Sequence, residues 1–321
     1  MEDNILIDMF SSFLYIRRVE EKIVELYPEQ EMRCPVHLSI GQEAIAVGVC
    51  KNLGKNDSIF SGHRSHAHYL AKEGDIKKFF AELYGKKTGC SKGRGGSMHL
   101  IDLGVNFHGA TSIISGTIPL AVGIAFSKKM QNKEGIVVVF FGDGAIEEGT
   151  FTESLNYAAL KKLPVLFICE NNHYASQTPI SKRQPKRHSI EIPKSYTIKS
   201  YLGNGNDIME VYELSKKAIE TMKNKGGPAF IEFDTYRWLE HCGPYCDTHL
   251  GYRTPEEVKF AKNNCSLKKL KNYLLDKALL NKEAIKRIEE EINIRIEKAV
   301  KFAKESKYPD KESLSKYIYS K

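Results

Sequence analysis

FFGDGAIEEGTFTESLNYAALKKLPVLFICENNHY, residues 140–174, is the stretch whose reading decides the fold. Its lead-in, Ile136-Val137-Val138-Val139-Phe140-Phe141, is continuously apolar and rich in β-branched residues, as in a parallel strand covered on both faces. The run stops at Gly142-Asp143-Gly144. Residues 150–163 then set Phe151, Leu155 and Ala159 on one helical face, and a second apolar run, Pro164 to Cys169, leads into Glu170-Asn171-Asn172. This order of strand, helix and strand is a βαβ unit. Both strands end at the same edge of the sheet, where open α/β proteins hold their ligands. The expected fold class is α/β, a mostly parallel sheet with helices on both faces and a helical C-terminal region.

Asp143 and Asn172 stand 29 positions apart and come close at that edge. Magnesium favours hard oxygen donors, and the pair supplies a carboxylate and an amide oxygen, with a carbonyl just beyond as a third. Gly142 and Gly144 let backbone and phosphate approach, and a following helix N-terminus favours an anion. Taken singly, GDG also reads as a turn and NN as a loop. A dinucleotide loop of the form GxGxxG fits poorly, because Glu147 stands where its third glycine belongs.

GDG followed by NN at this interval is the thiamine diphosphate signature, and further segments extend the likeness in order. They are MRCPVHLSIGQEA (32–44), SGHRSHAHYLAKEGD (61–75), CSKGRGGSMH (90–99), and GGPAFIEFDTYR followed by GYRTPEE (226–257). Over roughly residues 10–260 the chain resembles the alpha subunit of the heterotetrameric, decarboxylating component of 2-oxo acid dehydrogenase complexes, the pyruvate, acetoin and branched-chain dehydrogenase alpha family. The resemblance implies a thiamine diphosphate-binding fold and Mg2+.

Position by position, it implies that Asp143, Asn172 and the Tyr174 carbonyl ligate the metal, and that Gly144 and Ala145 offer amides to the diphosphate. Arg64 matches a diphosphate-binding arginine, while His63 stands where the family usually has tyrosine. Ile114 matches the apolar wedge that bends thiamine, with the Ser112 carbonyl and Ile114 amide facing the aminopyrimidine. His37 matches a histidine near the reacting centre, and His241 one associated with acyl transfer. Both carry the expectation of proton transfer, which suits histidine's pKa. The implied reaction decarboxylates a 2-oxo acid, pyruvate favoured, and passes the acyl group to a lipoyl carrier. A beta subunit is expected to supply the activating glutamate within an α2β2 heterotetramer, alongside a possible lipoyl acyltransferase core. Departures from the family at Ser115-Gly116-Thr117, Glu147-Glu148 and Cys242 bear on the substrate. An acetoin dehydrogenase alpha subunit, a lipoamide-independent carboligase and a noncatalytic assembly subunit are the alternatives. Retention of Asp143, Asn172, Arg64 and His241 speaks against the last.

Each histidine also has a plainer reading. His63, His66 and His68 crowd one segment, where capping or surface histidines are common. His241 to His249 has zinc-like residue types, yet its spacing fits no common zinc site, and a loop at the mouth of the site fits better. GRGGSMH is read as structure coupled to the cofactor.

Composition sets outer bounds. The 321 residues, 41% apolar, suffice for a large core, and seven scattered cysteines show no secreted framework. No run approaches the roughly 18 apolar residues of a membrane span, and the acidic start MEDNILIDMF resembles no targeting sequence, so a cytoplasmic location is expected. The net charge of +8 raises nucleic acid as a partner. Lysines interleaved with glutamates over 282–305, beside an apolar stripe at Ile285, Ile288, Ile292, Ile296, Ala299 and Ala303, argue instead for a solvated helix face.

Helices are expected over 3–27, 41–53, 64–85, 119–130 and 207–224, a third strand over 228–234, and helices from Pro255 onward. Residues 181–195 read as a flexible loop. The expected division is a cofactor-binding domain, 1–260, and a helical extension, 261–321, packing on it or on a partner.

Overall fold

The computed structural model describes residues 2–186, 189–316 and 318. A long helix, α1 (Asp3–Leu26), opens the chain, followed by α2 (Glu43–Cys50), strand β1 (Ser58–Ser61), α3 (His66–Ala71) and α4 (Ile76–Leu83). Next come β2 (Phe107–Ala110), α5 (Thr117–Met130), β3 (Val137–Gly142), α6 (Gly149–Leu160) and β4 (Val165–Asn171). A small ribbon, β5 (Tyr174–Ala175) and β6 (Thr178–Pro179), leads to α7 (Glu191–Ser195), β7 (Lys199–Asn204), α8 (Ile208–Lys225) and β8 (Ala229–Asp234). Helices α9 (Pro255–Asn263), α10 (Ser266–Asp276) and α11 (Lys282–Glu305) complete the order.

The main sheet has six strands in the order β2-β1-β3-β4-β8-β7, every pair parallel. Strand side chains alternate between faces, so Val137, Val139 and Phe141 pack with Phe151 and Leu155 of α6, whereas Val138 and Phe140 join the core built on α1, α2 and α8. Covering on both faces explains the unbroken apolar runs of β3 and β4.

The expected α/β class and the expected strands at 136–141, 164–169 and 228–234 are present, each within two residues of its bounds. Strands β1, β2 and β7 escaped the sequence reading because Ser58-Ile59-Phe60-Ser61, Phe107-His108-Gly109-Ala110 and Lys199–Asn204 mix polar and apolar residues in short runs. The stretch 64–85 divides into α3 and α4, the second capped by Asp75, whose carboxylate accepts from the Lys77 and Lys78 N–H groups. Over 181–195, Ile180–Lys182 forms a 3-10 turn and Glu191–Ser195 is helical, while Arg187 and His188 lie outside the described residues.

In α11 the expected stripe is buried at Ile285, Ile292, Ile296, Ala299 and Ala303, with Ile288 half-buried beside it. Each such isoleucine contributes about 1.5–3 kcal/mol by leaving water. The stripe shares one core with α1 and α4, whereas α9 reaches the site side, where its Glu257 accepts from the Tyr174 hydroxyl at 3.0 Å.

Candidate functional site

Strand order reverses direction between β1 and β3, because the chain leaves β1 for β2 on one side and returns to β3 on the other. Ligands of open parallel sheets lie beyond the carboxyl ends at such a point. A cavity of about 330 Å³ opens there, lined by residues that include His63, Arg64, Ile114, Asp143, Gly144, Ala145, Asn172, Tyr174 and His241. Strand β1 delivers His63 and Arg64, β3 delivers Asp143 to Ala145, and β4 delivers Asn172. Ser112 is exposed and outside the lining, and His37 sits behind the wall against His63 and His241.

The register pairs Gly142 with Glu170, which brings Asp143 and Asn172 past adjacent strand ends. Asp143 is buried, its Oδ1 has no hydrogen-bond partner, and burial raises its pKa. Its Oδ2 is held by the Arg183 guanidinium, which also pairs with Glu147, and Gln184 donates to the Asp143 carbonyl at 3.2 Å. The Asn172 amide donates to Gln42 Oε1 at 3.0 Å, leaving its oxygen to accept from the Tyr174 N–H at 3.2 Å. A Cβ on Gly144 would stand 3.0 Å from the Ala175 Cβ, a tight contact that a glycine avoids. An orphaned carboxylate oxygen beside an amide oxygen is a donor set suited to a hard divalent cation.

Arg64 is buried, and its guanidinium donates to the carbonyls of Leu38 at 2.6 Å and His241 at 3.1 Å. Burial, with Arg237 nearby, lowers its pKa to about 9. A cation so placed is favoured by an incoming anion.

His37, His63 and His241 meet edge to face, with ring centroids 4.7, 5.0 and 5.2 Å apart. Burial first, then the Arg64 charge, depresses all three, His37 to about 2, His63 to about 3 and His241 to about 4. They are neutral near pH 7, and His37 Nδ1 is buried without a partner.

Behind this wall His66 and His68, weighed from the sequence as plain histidines, meet partners that the sequence reading missed. Glu20 of α1 meets His66 Nδ1 at 3.0 Å, His66 Nε2 meets Ser97 Oγ at 2.7 Å, and that hydroxyl accepts from the His37 N–H at 3.3 Å. All of Glu20, His66 and Ser97 are fully buried, so this Ser-His-Glu array is closed to substrate and holds the His37 segment in place. His68 links Ser61 Oγ at 2.8 Å to Glu170 at 3.3 Å. The carboxylate of buried Glu82 accepts from the N–H groups of Ser91, Gly93, Gly95 and Gly96, which shapes the GRGGSMH loop. Glu20–His66 and His68–Glu170 span 46 and 102 positions, and an unpatterned Glu in an amphipathic helix gives no hint of its partner.

The segment 238–251 passes the cavity as expected, with His241 in the lining. Its far end is pinned by buried Asp247, which pairs with Arg253 at 2.5 Å and Arg237 at 3.6 Å. Among the described residues, Cys242, Cys246 and His249 form no metal-ligand cluster.

A parallel sheet whose switch-point cavity joins an orphaned carboxylate, an amide oxygen, a glycine and a buried arginine belongs to the open α/β class and suits an anionic ligand with a hard cation. Comparison with known proteins narrows it: the chain belongs to the dehydrogenase E1 component family, which matches residues 12–312. It is 40% identical over 97% of its length to the alpha subunit of acetoin:2,6-dichlorophenolindophenol oxidoreductase of Bacillus subtilis (strain 168), covering 92% of that protein. It is 35% identical over 98% of its length to the pyruvate dehydrogenase E1 component subunit alpha of Rickettsia bellii, covering 95% of that subunit. The corresponding mitochondrial subunit of Dictyostelium discoideum is 34% identical, with 98% of this chain and 82% of the relative aligned.

Proposed function

We propose that the chain is the alpha subunit of a thiamine diphosphate- and Mg2+-dependent enzyme that decarboxylates a 2-oxo acid, pyruvate favoured, and passes the acyl group to a lipoyl carrier. The observation that carries the reading is the unpartnered, buried Oδ1 of Asp143, set in one cavity with buried Arg64. Asp143, the Asn172 amide oxygen and the Tyr174 carbonyl are the proposed metal ligands. Arg183, which pairs with both Asp143 and Glu147, would still have Glu147 as a partner if Asp143 turned to hold a metal. Gly144 and Ala145 would line the diphosphate end, Arg64 would neutralise its charge, and Ile114, half-exposed in the lining, would be the wedge with its amide toward the pyrimidine; the Ser112 carbonyl is proposed for the same side although Ser112 stands outside the lining.

When bound, the cofactor supplies a carbon nucleophile and an electron sink. This chain's part is to orient, to exclude water and to manage protons. His37 and His241 are neutral near pH 7 and weak as proton acceptors while the Arg64 charge stands uncompensated, so an anion in the cavity has to offset Arg64 before either ring exchanges a proton. His37 Nδ1 has no competing hydrogen bond, which leaves it free for that exchange.

A second reading, acetoin cleavage, is favoured by the 40% identity to the Bacillus acetoin oxidoreductase subunit. Arg64 is also the one arginine in the described lining, which holds no lysine, so after the diphosphate is neutralised this wall keeps no fixed cation for a substrate carboxylate.

The relatives are named as alpha subunits, which supports a beta subunit and an α2β2 assembly, and a lipoyl acyltransferase core is the further partner this reading calls for. Leu120 and Met130 of α5 and Tyr157 and Leu160 of α6 leave apolar surface exposed, suited to such a partner. No described helix is long and apolar enough to cross a membrane. We also place residues 261–321 as a helical extension of the 1–260 domain, supported by the core that α10 and α11 share with α1.

Two measurements test the reading. Asp143→Ala is expected to weaken Mg2+-dependent thiamine diphosphate binding at least about 100-fold in calorimetry, and retained affinity removes the ligand assignment. Carbon dioxide release from 2-oxo acids, against cleavage of acetoin, by the chain copurified with its partner separates the two substrates.

A further inference from the structure

We infer that His37, His63 and His241 form a second metal site, specific for a borderline transition ion such as Zn2+ and distinct in chemistry from the oxygen-lined position at Asp143. The three histidines come from separate segments, before α2, after β1 and after β8, yet their ligand nitrogens all lie within 4.8 Å of one another. Three imidazoles with one open position toward a cavity is the donor set of an open zinc site. A second observation points the same way: His37 is buried, and its Nδ1 faces no hydrogen-bond partner.

Zinc–imidazole bonds of about 2.0–2.1 Å set tetrahedral nitrogens roughly 3.3 Å apart, so the cluster must contract. His63 and His241 are half-exposed on loops and have room to turn, whereas His37 is fixed. The imidazoles are neutral near pH 7, so no proton has to leave before the ion binds. Arg64 opposes the ion's charge, which makes the site weaker than one balanced by a carboxylate. Softness separates the two positions: imidazole selects Zn2+ or Co2+, while carboxylate and amide oxygens select Mg2+. His63 and His241 line the cavity, so an ion held there would occupy part of the wall that the proposed cofactor meets.

The test uses the cofactor-free chain and Co2+ as a visible probe, so its failure leaves the proposed function untouched. One equivalent of Co2+ is expected to give d–d absorption bands that Zn2+ abolishes and excess Mg2+ leaves intact. His63→Gln and His241→Gln, each checked for fold by circular dichroism, are each expected to lower Co2+ affinity at least tenfold. Absence of the bands, or unchanged affinity in both variants, overturns the inference. So does a thiolate-to-cobalt charge-transfer band that disappears in Cys242→Ser, which puts the ion on the neighbouring cysteine.

Discussion

Two sets of histidines stand within one wall of this protein and differ in the company of a carboxylate, a difference that burial does not track, since His37 is buried like His66 and His68. His66 and His68 are buried and face Glu20 and Glu170. His37, His63 and His241 face one another and Arg64, with no ion pair between them and a carboxylate. Burial alone therefore does not separate structural from reactive histidines here. The partner does. A carboxylate satisfies the ring and locks its tautomer, whereas a guanidinium keeps the ring neutral and its lone pairs available.

The comparison breaks most visibly at His66. Replacing it with alanine leaves the buried Glu20 carboxylate without its ring partner, a change that costs roughly 3–5 kcal/mol when a buried pair loses one member. Urea unfolding of His66→Ala is expected to show that loss, and His66→Gln, which keeps one hydrogen bond, a smaller one. A midpoint unchanged in both variants would mean that the Glu20–His66–Ser97 chain is idle.

His241 sharpens the same contrast from the other side. It is half-exposed and has no side-chain partner whose charge it would strand. His241→Asn is therefore expected to shift stability by less than about 1 kcal/mol. Turnover should fall by about 10²–10⁴-fold, the usual worth of a positioned proton-transfer group. Equal damage to unfolding free energy and to turnover would erase the distinction between the two sets.

Legibility from sequence follows the same division. Strands β3, β4 and β8 are visible because burial on both faces demands uninterrupted apolar runs, and with them come Asp143 and Asn172. Strand β1, which delivers His63 and Arg64 to the cavity, is four residues long and buries Ser58 and Ser61, so its pattern carries no strand signal. Those two residues were found only through the resemblance of their segment to a family. Glu20, Ser97 and Arg183 were not found at all. Glu20 lies in a helix whose other acids are solvated, and its partner is 46 positions away, a distance across which local pattern is silent. Arg183 reads as one cation of a basic loop, and only folding places it on Asp143 and Glu147.

The finest distinction lies in pH. His37, His63 and His241 have folded-state pKa values of about 2, 3 and 4, all below the ordinary histidine value of 6.5. Below pH 6.5 the unfolded chain takes up protons at these rings and the folded chain does not, so the unfolded state binds more protons and stability falls with pH. The contribution is fully present above 6.5 and is lost progressively as the pH drops toward 4. One such ring accounts for a slope of about 1.4 kcal/mol per pH unit well inside that window. His63 lines the cavity and, among the described residues, forms no ion pair with a carboxylate, and glutamine fills much of its volume, so it is the ring to replace. The unfolding free energy of His63→Gln between pH 6 and pH 4.5 should therefore decline less steeply than that of the parent chain. An identical slope would mean that His63 already carries a proton in the folded state, and that Arg64 has a compensating anion beside it even before any ligand arrives.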